Sequence, residues 1–500
     1  MNNDYEESVS DKSIQLFSIG VGYEKALNVM FTQMSVKQGI KMFGQKAIAA
    51  IFEDLKQLND GVLLGKPVIV PILFETLTDN DQKEALEAVN LIAQKRCGCI
   101  KGRTCANGAR QRKYIKDIDS FASMTASLEA IMSTLMIDAF EERDIAVADV
   151  PGAYLHAEFL SHKNVVLKLN GVYVDIMCNV NPEYKKHIMY KTTKKGKKLK
   201  CLYVKVLRAL YGCLESALLW YDLYSLTLCK MGFKINDYDK CVANKVINGN
   251  QCTIVFYVDD NKISHVEPQV VSNIISELSE HFGKLPVSRG KKHDYLGMDI
   301  KIKNKLVYIS MRKQIEEALE WGGRQSGRKP STPAKADLSN QGDNDNRLDI
   351  SSSDIYHSVL QKLLYICKRA RSDIEPALSY LCTKVSNPLK LDQEKLDRVL
   401  DYLHGTISDQ RILGATSLEE MVTWIDASFA THDNKRSHTG GTISFGRGVI
   451  HAKSSKQKLN TRSSTEAELV GVSEYLPYHI WFVNFLKCQG YNIKKSIVSR

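Results

Sequence analysis

In the stretch IVFYVDDNKIS, residues 254–264, a β-branched and aromatic run ends in two adjacent carboxylates, Asp259 and Asp260. Like charges held together raise one another's pKa unless something offsets them, and a divalent cation does so. A third acid, Asp149, lies near the end of the short apolar run IAVADV; Asp144, just before that run, is the alternative. Three strand-borne carboxylates suit two Mg²⁺ ions about 4 Å apart, the arrangement for in-line phosphoryl displacement. An Asp pair is also an ordinary turn opener, and the dipeptide alone favours that plainer reading. A second group of acids comprises Asp426 in MVTWIDASFA, with Glu466 and Glu468 in SSTEAEL. By itself SSTEAEL is a helix start, with Ser464 or Thr465 as cap and acids favoured by the helix dipole.

Stepping outward from the acids, the hydrophobic pattern predicts their carriers. Residues 35 to 95 read as mostly helical, through GQKAIAAIFEDLKQL and DNDQKEALEAVNLIAQK. A basic hairpin is expected over 97–114, and an amphipathic helix in SMTASLEAIMSTLMIDAFEERD leads into the strand that carries Asp149. Strands are expected over 165–180 and 200–208, a helix over 215–231, and a hairpin over 242–264 turned at Asn248-Gly249. A helix at about 268–282 and two strands in KKHDYLGMDIKIKNKLVYISM follow. The Ser-, Pro-, Asp- and Asn-rich segment 328–352 reads as a linker, 354–404 as helices, and the rest as strands closed by a helix over 465–487. Residues 1 to about 35 read as a poorly ordered lead-in. The pattern is that of two mixed α/β modules joined by a helical connector.

Composition narrows the class. The 500 residues, 44% hydrophobic and 25% charged, suit a soluble protein of two to four domains. No apolar run approaches the roughly 20 residues of a membrane span, and the acidic, polar N-terminus is unlike a signal peptide. Twelve scattered cysteines point to a reduced, intracellular setting. Cys97, Cys99 and Cys105 lack a second pair at zinc-finger spacing and read as free thiols. The net charge of +11, densest in KKHIMYKTTKKGKKLK (185–200) and in KLPVSRGKKH (284–293), suits a polyanionic partner, although a solvated loop accounts equally for either cluster.

The ordered set IAVADVPGAYLHAEF, LRALYGCLESALLWY and VFYVDDNKIS resembles the palm motifs of reverse transcriptases, specifically those of copia-type LTR retrotransposons. IKGRTCANGARQRKY resembles the family's basic fingers hairpin, KKHDYLGMDIKI the strand pair after the palm, and YHSVLQKLLYICKRARSDIEPALSYLCTKVSNP with LDRVLDYLHGT its connector. KRSHTGGTISFGRGVIHAKSSKQKL and SSTEAEL resemble the RNase H domain of the same elements. The resemblance covers residues 85 to 500, and 35–84 is similar to the lead-in of such elements from algae and related protists.

What this implies is an α/β (α+β) right-hand polymerase of fingers, palm and thumb/connector, followed by an incomplete RNase H-like α/β domain. The expected divisions are 1–84 lead-in, 85–327 fingers and palm, 328–417 linker and helical thumb/connector, and 418–500 RNase H-like. By position Asp149, Asp259 and Asp260 would bind two Mg²⁺ ions, with Mn²⁺ an alternative. Tyr154 would be the steric gate against a 2′-OH, Lys101 and Arg103 would grip the triphosphate, and Gly212 and Ser216 would border the nascent base pair. Glu215 and Ala217 stand where the family more commonly has Gln and Pro, and Val258 would touch the primer end. In the last module Asp426 and Glu468 would be metal ligands, Glu466 would be exposed, and Lys456, Lys458 and Arg462 would face the hybrid. The family's third acid follows the strand NIKKSIVSR, where this sequence stops, so no competent RNase H is expected. The implied function is RNA-directed DNA synthesis on an RNA template and DNA primer with dNTPs, amid RNA/DNA hybrid and other Pol and Gag products. The implied setting is cytoplasmic particles and the nucleus, with no membrane. The alternatives are an inactive remnant that only binds nucleic acid, and a two-metal nuclease acting alone, which would need four acids in the last module.

Overall fold

The computed structural model describes residues 34–499 apart from 64, 95–97, 114–120, 160–164, 193–195, 197, 324–326, 328 and 340–345. Residues 1–33 of the expected lead-in, Cys97, and 193–195 and 197 of the basic run therefore lie outside the described residues; Cys99 and Cys105 form no disulfide among the described residues.

The described chain opens with β1 (Met34–Ser35), α1 (Val36–Phe43) and α2 (Gln45–Asp60). Helix α2 buries Ala47, Ile51, Leu55 and Leu58 at three- and four-residue spacing. After β2 (Ile69–Pro71) and α3 (Asp79–Glu84), the helical expectation fails, because LEAVNLIAQ forms β3 (Leu86–Gln94), paired antiparallel with β4 (Ile100–Ala106). Cross-strand partners decide the state of this segment, overriding its local propensity. Gly102 of β4 runs so close to α2 that a Cβ there would lie 2.6 Å from the Ala50 carbonyl oxygen.

Next come α4 (Leu128–Phe140), β5 (Asp144–Asp149), the single turn α5 (Ala153–His156), β6 (Val166–Asn170), α6 (Val172–Val180), β7 (Met189–Thr192) and β8 (Lys198–Val206). Two expectations are corrected. Helix α4 is not amphipathic, since every residue from Ala130 to Ala139 is buried, as for a helix packed on all sides. Residues 172–180 are helical, because Gly171, at φ +61°, ends β6 and starts a turn that buries Val174, Ile176, Met177 and Cys178. Strands β1 to β4 and β6 to β8 form one seven-stranded sheet. Its core runs from Val36 to Cys213, so segments on both sides of residue 85 share it.

Strand β5 belongs to a second sheet. With α7 (Ser216–Lys230), β9 (Lys234–Ile235), β10 (Val242–Ile247), β11 (Asn250–Tyr257), β12 (Asp260–His265), α8 (Pro268–Phe282) and β13 (Val287–Arg289), it completes the order β13-β5-β12-β11-β10-β9. The hairpin turn at Asn248-Gly249 forms as expected, both residues having positive φ. An aromatic cluster of Trp220, Tyr224, Phe256 and Phe282 covers one face of this sheet, with ring centroids 5.0–5.6 Å apart.

The remainder is β14 (Lys292–Tyr295), β15 (Met298–Lys303), β16 (Leu306–Ser310), α9 (Arg312–Trp321), α10 (Ile350–Arg369), α11 (Glu375–Cys382), α12 (Lys390–Gly405), β17 (Arg411–Ala415), β18 (Glu420–Ser428), β19 (His438–Ser444), β20 (Gly446–Arg447), β21 (Val449–Lys456), α13 (Ser464–Cys488) and β22 (Lys495–Ser499). KKHDYLGMDIKIKNKLVYISM gives three strands rather than two. Helix α10 starts at residue 350, capped by the Asp349 carboxylate accepting from the Ser352 N–H at 2.9 Å, earlier than the linker reading allowed. A five-stranded sheet runs β14-β15-β16-β17-β20, and a four-stranded one β21-β19-β18-β22, with β22 parallel to β18. One hydrophobic core extends from Ala126 to Leu486 and joins the second sheet to everything after it.

Candidate active site

Strands β5 and β12 are antiparallel neighbours, and their register sets Asp149 directly opposite Asp260. Directly opposed residues point to the same face of a sheet, so the two carboxylates share one end of one surface. Asp259 occupies the two-residue turn between β11 and β12, whose flanking pair is Tyr257 and Asp260. The other turn residue, Val258, has φ +59°, a conformation that costs a β-branched residue about 1–3 kcal/mol. Three hydrogen bonds hold the turn: Trp220 Nε1 donates to the Val258 carbonyl at 2.7 Å, the Val150 N–H to the Asp259 carbonyl at 2.9 Å, and Asn261 Nδ2 to that same oxygen at 3.0 Å. Asp144 lies at the far end of β5, opposite His265, and pairs with Arg289, which removes it as an alternative third acid.

Burial, then the charges of Asp259, Asp149 and Asp294, push the Asp260 carboxyl up to about 6. Three acids crowded at one strand end are a donor set whose chemistry fits a divalent cation. Among the described residues, however, no three such side chains already converge as a coordination set. Asp294, on β14, is an acid that the sequence reading passed over within KKHDYLGMDI.

Across from the acids, Arg103 of β4 places its guanidinium 4.8 Å from the ring centroid of Tyr211. Tyr211 in turn packs on Tyr154, the centroids 4.9 Å apart at 47°. Burial and the charge of Asp259 raise the Tyr154 phenol, and burial pushes that of Tyr211 up to about 12. Tyr154 stands on α5, started by Gly152 in the left-handed conformation. Lys101 is exposed two residues before Arg103. Its charge acts on Asp54 of α2, whose carboxylate accepts from the Thr104 N–H at 2.7 Å and is raised by burial. Gly212, at φ +89°, touches the end of β4: a Cβ on it would sit 2.1 Å from the Ala106 carbonyl oxygen. Ser216 is buried and donates its hydroxyl to the Leu210 carbonyl at 2.7 Å. That bond ties the start of α7 to the segment before it. Arg103, Tyr154, Tyr211, Asp149, Asp259 and Asp260 are thus brought together; Ser216 is not among them.

In the C-terminal sheet Asp426 is exposed on β18, and strand alternation turns it away from α13, onto which Thr423 (through His479) and Ala427 (through Gly471) pack. It lines a cavity of about 290 Å³ with Glu375, Lys453 and Ser454. Glu468 is half-buried in the first turns of α13 and is not a lining residue of that cavity, while Glu466 is exposed and accepts from the Arg462 N–H. Lys456 ends β21, and Lys458 and Arg462 are exposed ahead of α13.

Residues 90–323 match the family described as reverse transcriptase (RNA-dependent DNA polymerase), and this stretch is a reverse transcriptase domain. The chain is 25% identical over 410 residues to a retrovirus-related Pol polyprotein from transposon TNT 1-94 of Nicotiana tabacum, covering 80% of this chain and 28% of that protein. It is 23% identical over 417 residues to the transposon Ty1-BR Gag-Pol polyprotein of Saccharomyces cerevisiae, covering 79% and 22%. It carries the reverse transcriptase region of a copia-type retrotransposon Pol polyprotein, and spans about a quarter of the length of these curated relatives. Among solved structures, a foamy viral protease-reverse transcriptase in complex with double-stranded DNA gives a TM-score of 0.44 at 11% identity, covering 83% of this chain and 57% of that one. Among the described residues no helix is long and apolar enough to cross a membrane.

Proposed function

We propose that the chain is an RNA-directed DNA polymerase that extends a DNA primer on an RNA or DNA template from dNTPs. The observation that carries this reading is the register of Asp149 opposite Asp260, with Asp259 in the adjoining turn, facing Arg103 and Tyr154. Asp149, Asp259 and Asp260 would hold two Mg²⁺ ions, or Mn²⁺ in their place; when bound, such ions offset crowded carboxylates and the charge that develops on a phosphate undergoing in-line attack. The protein's own groups supply the rest. Arg103, with Lys101 beside it, presents cationic donors to a triphosphate. Tyr154 offers a ring beneath the sugar, and Val258 places backbone at the primer end. In this reading the six-stranded sheet is the palm, the seven-stranded sheet with α2 the fingers, and α10 to α12 the thumb and connector. Binding to template-primer is mostly through phosphates and falls steeply with salt.

The C-terminal sheet is the RNase H-like module. Because Asp426 turns away from α13 and shares a cavity with Glu375 and Lys453, we assign this module a hybrid-binding role without cleavage. The partners of the reading are template, primer, hybrid, dNTPs and other Pol and Gag products, in cytoplasmic particles and the nucleus.

Primer extension on an RNA template with dNTPs and Mg²⁺ tests it, comparing the purified chain with Asp259→Asn. Extension that vanishes in the variant supports the assignment. Extension by neither, with salt-sensitive hybrid binding retained, selects a binding-only remnant, and extension that survives the substitution overturns the assignment of the triad.

A further inference from the structure

Tyr154 stands on a helix of four residues, too short to hold a side chain by its own hydrogen bonds. Its side chain packs against the core beneath the second sheet and, ring to ring, against Tyr211. Tyr211 itself is held in three ways. The Ala106 N–H donates to its carbonyl at 2.7 Å, tying its backbone to the end of β4. The next residue, Gly212, fits against Ala106 only because it has no Cβ. On the other side, the Leu210 carbonyl accepts the Ser216 hydroxyl, and the Leu214 N–H donates to Gln111 Oε1 at 2.9 Å. The Arg103 guanidinium then covers the ring. Tyr211 is thus fixed to the basic hairpin and to the start of α7, and Tyr154 packs on it.

We propose that Tyr211 is a positioning residue that sets sugar selectivity, its ring holding that of Tyr154 in place against Arg103. The proposal rests on the reading of Tyr154 as the group beneath the sugar. A ring that can retreat would admit a 2′-hydroxyl, so discrimination depends on what stands behind the gate as well as on the gate. Tyr211 need touch no substrate atom to do this.

The test is single-nucleotide incorporation by the full chain on a DNA-primed template, measuring kcat/KM for dNTP and for the matching NTP, with melting temperature recorded for each variant. Tyr154→Val should relax the dNTP:NTP ratio. Tyr211→Leu should lower it by about tenfold, mainly through a lower KM for the NTP, and Tyr211→Phe, which keeps the ring, should restore the parent ratio. If Tyr154→Val relaxes selection and Tyr211→Leu leaves it unchanged, the proposal is wrong and the gate stands. If Tyr154→Val leaves the ratio unchanged, the gate reading fails and takes the proposal with it. Should Tyr211→Leu melt far below the parent, Tyr211→His, with its smaller flat ring, must give an intermediate ratio, and a parent-like ratio overturns the proposal.

Discussion

The indole N–H of Trp220 donates to the carbonyl of Val258 at 2.7 Å, one residue before Asp259. Trp220 is 2% exposed and stacks within the aromatic cluster, so a rigid group fixes the strained turn that carries an acid. Trp220→Phe keeps most of the packing but leaves that carbonyl without its donor, a loss of roughly 1–3 kcal/mol. Chemical denaturation should read that loss, and primer extension should fall further than the unfolded fraction explains. Parent-like extension in a destabilised variant would mean that the bond serves folding alone.

Gly212→Ala places a methyl group against the Ala106 carbonyl in a backbone conformation that disfavours side chains. Strain and overpacking together should cost roughly 2–4 kcal/mol. The same change should separate Tyr211 from β4, so the variant should bind template-primer normally and require more dNTP. An unchanged melting temperature would show that this contact yields readily.

Behind the acids, Lys262 of β12 forms a buried ion pair with Asp138 of α4, and Arg143 lies 3.8 Å from the same carboxylate. Asp138→Leu strands the buried Lys262 ammonium, while Arg143 keeps its pair with Glu141 at 2.8 Å, and should destabilise by roughly 3–5 kcal/mol, whereas Asp138→Leu combined with Lys262→Met should recover part of that loss. Urea unfolding of both variants decides, and equal stability of single and double variants would contradict the coupling.

A pH effect is expected from the C-terminal sheet. His432 is buried beside His438, and burial followed by that neighbour lowers its pKa from the usual 6.5 to about 4. The unfolded chain therefore binds more protons than the folded one between these values, and stability rises with pH across that window. Its contribution is complete above about 6.5 and is lost as pH falls toward 4. Lys456 and Lys384 add to the shift, and Asp433 opposes it. Melting curves from pH 7 down to 4 should fall less steeply for His432→Gln, and parallel curves would count against this histidine.

The acids were legible because their signal is local: an apolar run ending in carboxylates forms a strand tip in the structure, and the Asn248-Gly249 turn follows directly from its residues. Segments 86–94 and 172–180 were misread where non-local packing decides, by pairing with β4 in one and by a break at Gly171 in the other. The roles of Tyr211, Trp220 and Asp294 could not be read at all, since each depends on a neighbour far away in sequence. Their only local trace was membership of segments already singled out, LRALYGCLESALLWY and KKHDYLGMDI.

Strand β17 is inserted between β16 and β20, and Arg143, near the start of β5, donates to the Tyr491 hydroxyl at 2.9 Å. A nascent chain that has emerged as far as residue 323 already contains all three acids of the polymerase site. Its strand Leu306–Ser310 still has an open edge, and Arg143 still lacks Tyr491. Such an edge can recruit the wrong strand. Closing that edge waits for residues 411–415, and Arg143 gains the Tyr491 hydroxyl only once residue 491 has emerged, so the strands that carry the acids finish packing long after the acids themselves have been made.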